Sequence, residues 1–261
     1  GRSRLPILRE LSNSNSLLLR KAPSDVHNHP LNSAKKPFIE RFQACDAVRQ
    51  NVVRAVDWNN DGRTDLLAGD CDGFVWYFRN LTNHLSPLFA EGRRLSAGGE
   101  TLSLAGSAGH ARHDICDWNN DGRKDLVASD GNGTVTVYLN EGADTDPVLG
   151  RGKKVMAYDV DGNLKPIDRG TRSHLMVCDF NHDGKKDLVF SDQDNPGFYF
   201  LENVHSDTDP RFAPARQLEL SPYQRPNLGS FVDWDGDGKN DAYSAAFDFE
   251  TVPATVTGLD K

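Results

Sequence analysis

The sequence predicts an all-β fold, a β-propeller of four-stranded antiparallel blades, on three observations. One Asp/Asn/Gly-rich loop recurs four times, short apolar runs flank every copy, and Asp-Gly or Asn-Gly turns follow the first two at a fixed distance. The loops begin at Asp57 (DWNNDGRTDLL), Asp117 (DWNNDGRKDLV), Asp179 (DFNHDGKKDLV) and Asp233 (DWDGDGKNDAY). They lie roughly 60 residues apart, which marks one supersecondary unit repeated along the chain.

Within the first copy the elements run in order: an apolar run at 52–56, the loop, a second run at 66–68, the turn Asp72-Gly73, and an aromatic run at 74–78. The second copy repeats them at 115–116, 126–128, Asn132-Gly133 and 134–139. Val, Phe, Tyr, Trp and Thr bounded by such turns are hairpin chemistry, so these runs read as strands. A fourth strand is expected after each set, where a proline precedes an apolar and basic stretch at 87–95, 147–156 and 210–220. Outer strands tolerate Pro and charge because one of their edges is unpaired. A similar fragment at 37–42 precedes the first loop and reads as the outer strand of a blade completed elsewhere. Either it pairs with the last repeat and closes a four-bladed ring, or the chain, which starts at Gly1 and stops abruptly after its last loop, is part of a larger propeller. Residues 1–36, rich in Ser and Asn, read as a linker or poorly ordered arm, and 37–261 as the blades.

Alternate oxygen-bearing side chains inside nine residues are what a hard cation requires. Ca²⁺ takes six to eight oxygens at roughly 2.3–2.6 Å. In the first loop Asp57, Asn59, Asp61 and Asp65 offer side-chain oxygens, Gly62 permits the turn, and Arg63 offers its carbonyl. The corresponding sets are Asp117, Asn119, Asp121, Arg123 and Asp125; Asp179, Asn181, Asp183, Lys185 and Asp187; and Asp233, Asp235, Asp237, Lys239 and Asp241. A helix-loop-helix calcium site would need Glu at the twelfth position, and Ala68, Ala128, Phe190 and Ser244 stand there instead. The loops therefore join strands, with about one Ca²⁺ expected in each.

These loops, the Asp-Trp-Asn opening and the hairpin GDCDGFVWYF resemble FG-GAP (VCBS) repeats, found in integrin α-subunit propellers, propeller lectins and some polysaccharide lyases. The likeness spans roughly residues 37–249. It implies Ca²⁺ in loops on one face, ligand contacts commonly on the other, and about seven blades in the whole propeller.

Composition narrows the function. Thirteen of the 38 acidic residues lie in the four loops, leaving 25 acids against 30 basic residues, so the net charge of -8 is mostly metal-ligand charge. No broad basic face for nucleic acid is indicated, and no apolar run approaches the ~18 residues of a membrane span. Cys45, Cys71, Cys116 and Cys178 form no C-x-x-C pair and read as buried free thiols, with a disulfide as the other reading. The ends of the innermost strands away from the loops carry Arg49, His110, Arg112, His113, Arg172 and His174. The arginines are candidates for binding an acidic glycan, and His110, His113 and His174 for the base of a β-elimination; solvated side chains are the other reading. Trp58, Trp118 and Trp234 share one repeat position and are expected to pack. Two functions stay open: a secreted, periplasmic or cell-surface module binding glycan or protein, or a carbohydrate-active enzyme such as a polysaccharide lyase.

Overall fold

The computed structural model describes residues 52–105, 109–170, 173–192, 197–218, 229–232, 241–244 and 254–255. The arm at 1–36, the 37–42 fragment, Arg49, Arg172, Cys45, Trp234 and the fourth-loop residues Asp233, Asp235, Asp237 and Lys239 lie outside them. Among the described residues all regular structure is strand.

Three four-stranded antiparallel sheets follow one another in chain order. The first contains Val53–Val56, Asp65–Gly69, Val75–Phe78 and Arg93–Arg94; the second Arg112–Cys116, Asp125–Ser129, Val135–Tyr138 and Lys153–Lys154. The third contains His174–Cys178, Asp187–Asp192, Gly197–Leu201 and Arg216–Leu218. Three strands of a fourth, Gly229–Val232, Asp241–Ser244 and Ala254–Thr255, repeat the order. The loop is a fixed insertion in each: Val56 pairs with Asp65, Cys116 with Asp125, Cys178 with Asp187 and Val232 with Asp241. The last carboxylate of the loop is thus the first residue of the second strand every time.

Alternation along the second strand decides how the sheets stack. Successive side chains point to opposite faces. Leu126 and Ala128 join Trp58, Leu67, Val75 and Tyr77 in a core between the first and second sheets, while Val127 joins Leu188 and Phe190 between the second and third. Val189 then points the other way, to Phe180, Phe198, Phe200 and Phe231 between the third and fourth. Each middle strand is buried on both faces, as a central layer must be. The aromatic after the first loop Asp plugs each interface: Trp58, Trp118 and Phe180 are all buried. Phe180 meets Phe231 edge-on at 5.1 Å between ring centroids, a preferred aromatic geometry.

The innermost strands are stitched together by one carboxylate. Asp114 Oδ1 accepts from Arg54 Nε on the first sheet at 2.9 Å, and its Oδ2 accepts from the Val177 amide on the third at 2.9 Å. The outer strands pair later than the sequence suggested. Residues after the prolines meet the end of their own third strand at a single bridge each, Asn80 to Phe89, Asn140 to Leu149 and Asn203 to Phe212. Pairing with the third strand begins at Arg93, Lys153 and Arg216. There Arg94 lies over the Phe74 ring at 3.6 Å and Arg216 over Phe200 at 5.3 Å, which explains the basic residues. Two elements escaped the sequence reading: a hairpin of Ser96–Ala97 with Glu100–Thr101, and a sheet in which Met156–Tyr158 pairs antiparallel with Leu164–Pro166 and parallel with Arg211–Phe212.

The cysteines divide. Cys116 and Cys178 are free and half-buried at the same register of neighbouring inner strands, as expected. Cys71 is disulfide-bonded, which corrects the free-thiol reading for it. It stands in the turn just beyond the buried second strand, not at the inner-strand register of the other two.

Phe180→Ala is expected to cost about 3–5 kcal/mol, the range for emptying a buried aromatic site. Leu85→Ala, at a residue 98% exposed, should stay within about 0.5 kcal/mol; urea denaturation midpoints check both.

Candidate functional site

Each described loop is built from the same hydrogen bonds. The opening carboxylate folds the chain: Asp57 Oδ1 and Oδ2 accept from the amides of Asp61 (3.0 Å) and Gly62 (2.8 Å). Asp117 does so with Asp121 and Gly122, and Asp179 with Asp183 and Gly184. The fourth position is left-handed, at φ 54° for Asn60, 60° for Asn120 and 59° for His182. Asn carries that conformation more readily than other side-chain-bearing residues. Gly62, Gly122 and Gly184 follow at φ 80–86°, open on all sides. Among the described residues no three acidic, His or Cys side chains converge as a metal-holding group.

The closing carboxylate is fully buried and joins three parts of the sheet. Asp65 accepts from the Trp58 amide (3.2 Å), the Tyr77 hydroxyl (2.9 Å) and the Asn80 amide (2.7 Å). Asp125 accepts from Trp118 (2.9 Å) and Asn140 (2.7 Å), and Asp187 from Phe180 (3.1 Å), Asn181 (3.4 Å) and Asn203 (2.8 Å). Burial raises the pKa of all three carboxyls against the pull of these donors, and takes Asp187 up to about 6.

The middle carboxylate behaves differently. Burial opposes its ionisation, but hydrogen bonds from Asn59, Arg79 and Arg63 prevail and hold Asp61 down at about 2. The seventh-position side chains fold back onto this acid, with Arg63 2.6 Å from Asp61, Arg123 2.5 Å from Asp121 and Lys185 2.8 Å from Asp183. Each loop already gathers positive charge at its centre. Asn59 Nδ2 donates to Asp61, while its Oδ1 is buried and accepts from no protein donor. A buried oxygen left without a donor fits a hard cation.

A cleft of about 300 Å³ opens beside the first loop. Trp58, Tyr77, Ala90 and Pro147 are its apolar lining, and Asn59, Arg79, Glu91, Arg93, Thr145 and Asp146 supply polar groups. It lies between the first sheet and the 145–147 turn of the second. The matching position between the second and third sheets is bridged: Lys186 Nζ contacts both Asp207 (3.0 Å) and the Asn120 amide oxygen, and Asn120 Nδ2 donates to Asp207 (3.1 Å). Lys124 and Asp144 repeat the ion pair at 2.9 Å. Among the described residues Asn60 takes no part in it.

The residues at the other end of the inner strands are placed together but inside. His110, Arg112, His113 and His174 are all buried. Desolvation, with Arg54 nearby, takes His113 down to about 3, and desolvation with Arg54, Arg112 and His113 takes His174 well below the usual imidazole range. Both rings are neutral at pH 7. The sequence reading missed the buried Asn80, Asn140 and Asn203, which receive the closing carboxylates; the signal was an Asn 15 or 16 residues after each closing Asp. It also missed the repeated Asp-Thr-Asp-Pro turn at 144–147 and 207–210, whose first Asp caps Lys124 and Lys186.

Residues 179–244 match the FG-GAP-like repeat model, a stretch holding the third and fourth loops. No curated protein matches the chain. Similar solved structures include an Agrocybe aegerita lectin, studied for specific recognition of non-reducing terminal N-acetylglucosamine, at 20% identity and TM-score 0.44 over 79% of this chain and 51% of that one. Another is the Tc holotoxin pore of Photorhabdus luminescens, at 18% identity and TM-score 0.33 over 74% and 11%. The chain spans about half the length of the lectin it matches.

Because the folded Asp187 pKa lies near 6, above its value of 3.8 in an open chain, this group favours the fold below about pH 4 and loses that contribution as pH rises through about 6. In metal-free buffer, Asp187→Asn should flatten the wild-type gain in urea midpoint between pH 6 and 4. Asp61, held at about 2, has the opposite sign: its contribution is present above about pH 4 and lost toward pH 2.

Proposed function

We propose that this chain, which carries an FG-GAP-like repeat over residues 179–244, is a calcium-stabilised extracellular binding module recognising glycan or protein. Its sheets are then blades of a β-propeller to which it contributes four repeats. The observation that carries the reading is the cleft set against the first metal loop, with Asn59 belonging to both.

The loops hold the cation through Asp57, Asn59, Asp61 and Asp65 and the Arg63 carbonyl, and through the equivalent residues of the other three copies. A bound calcium ion supplies charge neutralisation and rigidity. Asp61 and its counterparts draw cations already, and the buried Asn59 Oδ1 offers an acceptor that a metal satisfies. The closing carboxylates fix the loop to the sheet, so that ordering the loop orders the strand behind it. The disulfide at Cys71 supports an oxidising compartment outside the cytosol, where calcium is plentiful.

The cleft suits a hydroxyl-rich ligand. Arg79 and Arg93 donate hydrogen bonds, Glu91 and Asp146 accept them, and apolar ring edges line the space between. Mixed donors and acceptors around an apolar floor match the alternating hydroxyls and C–H faces of a sugar ring. An elimination reaction at the far end would require substrate to reach His110, His113 and His174, whose burial favours binding over catalysis.

Chelation should lower the melting temperature. At ~1 mM calcium and a Kd of ~0.1 mM each site adds about 1.4 kcal/mol. Calcium titration followed by differential scanning calorimetry, with metal content by elemental analysis, checks it; an unchanged melt and no bound metal would count against the loops. Arg79→Ala and Glu91→Ala should each weaken binding of a glycan-array hit about tenfold or more, since a hydrogen bond to a charged group contributes about 1.5–3 kcal/mol. Equal affinity in both variants would remove the ligand from this cleft.

A further inference from the structure

The sequence holds two Asn-x-Thr triplets, Asn80-Leu81-Thr82 and Asn132-Gly133-Thr134, the acceptor pattern for an N-linked glycan. The repeats provide an internal control for each. Asn80 occupies the position of Asn140 and Asn203, which no hydroxyl residue follows at the second place, so this asparagine is kept by the fold. It is fully buried, its backbone amide donates to Asp65, and Nδ2 donates to both the Thr64 and Asn83 carbonyls at 3.1 and 3.2 Å. Its Oδ1 accepts from the Thr82 amide. A saccharide on Nδ2 would remove one of those donated hydrogens and has no space to occupy.

Asn132 is the reverse case. It is exposed, at the tip of the turn between the second and third strands, at the end of the sheet opposite the metal loop. The turn is fixed by other groups. Asp130 Oδ1 accepts from the amides of Asn132 and Thr134, and Gly133 sits at φ 89° with its α-carbon packed on the Gly170 backbone. The first sheet builds the same turn with Asp72 where Asn132 stands, Asp70 Oδ1 accepting from Asp72 and Phe74. The backbone turn is thus built with a carboxylate in one sheet and an amide in the next.

We propose that Asn132 is an N-glycosylation site and that the Asn80 triplet is closed by folding. The natural occurrence of the modification rests on the extracellular reading given above. In the transfer, the Asn132 amide nitrogen bonds to the anomeric carbon of a saccharide carried on a polyisoprenyl diphosphate. The nitrogen loses a proton, and the diphosphate leaves with the electron pair of the broken C–O bond. The glycan projects from the end of the sheet away from the loops and the cleft at Asn59 and Arg79, and leaves both accessible.

The test is expression of the full chain behind a cleavable leader in a eukaryotic secretory line, which imposes the compartment. Failure of the modification is then separate from failure of the natural localisation. Mass spectrometry of intact glycopeptides is expected to show a glycan on Asn132 and none on Asn80 in secreted, folded protein. Asn132→Asp, which copies the first sheet, and Thr134→Val should each abolish the glycan. Asn80→Gln should leave the glycan unchanged and lower the melting temperature. An unmodified Asn132, or a glycan on Asn80 in protein with native melting behaviour, would overturn the proposal.

Discussion

The structure depends on a carboxylate buried where each loop meets its sheet. Asp65, Asp125 and Asp187 are each the first residue of a second strand, and each takes amide donors from the start of its loop and from the end of the third strand. One side chain thereby ties three chain segments separated by up to 16 residues. A buried carboxylate is costly unless its oxygens are hydrogen-bonded, and backbone donors cannot move away without opening the sheet. Loop geometry and sheet geometry consequently become a single property.

The stacking of sheets follows from the same register. Since the closing Asp fixes where the second strand starts, it also fixes which of its residues face each neighbour. Leu126 and Ala128 face one way and Val127 the other, and a slip of one residue would exchange them. Trp58, Trp118 and Phe180 are positioned by the amide that donates to that Asp, so the plug of each interface is placed by the polar bond beside it. At the inner edge Asp114 joins three sheets through Arg54 and Val177, and the buried histidines near it are part of the packing.

Much of this was legible because the repeat wrote it four times. The loops, the first three strands, their turns and the packing role of Trp58 and Trp118 follow from local pattern and turn chemistry. What was not legible involved pairs distant in sequence. The partners of the closing carboxylates, Asn80, Asn140 and Asn203, look like ordinary strand-end residues until the copies are aligned on the closing Asp. The bridge of Lys186 to Asn120 and Asp207 joins side chains of two sheets, and the cleft is lined from two sheets as well. Burial of His110, His113 and His174 was equally hidden, since a basic residue at a strand end reads as exposed when the neighbouring sheet is unknown. Outer strands were placed too early because Pro and apolar residues mark the stretch, whereas pairing starts where Arg93 and Arg216 reach aromatic rings.

The most direct test of the central carboxylate is residue-resolved amide hydrogen exchange. The amides of Trp58, Asn80, Trp118, Asn140, Phe180 and Asn203 should be among the slowest in the chain. Within each sheet the two that share a carboxylate should open together. Rapid exchange at these amides while the middle strands remain protected would contradict the account.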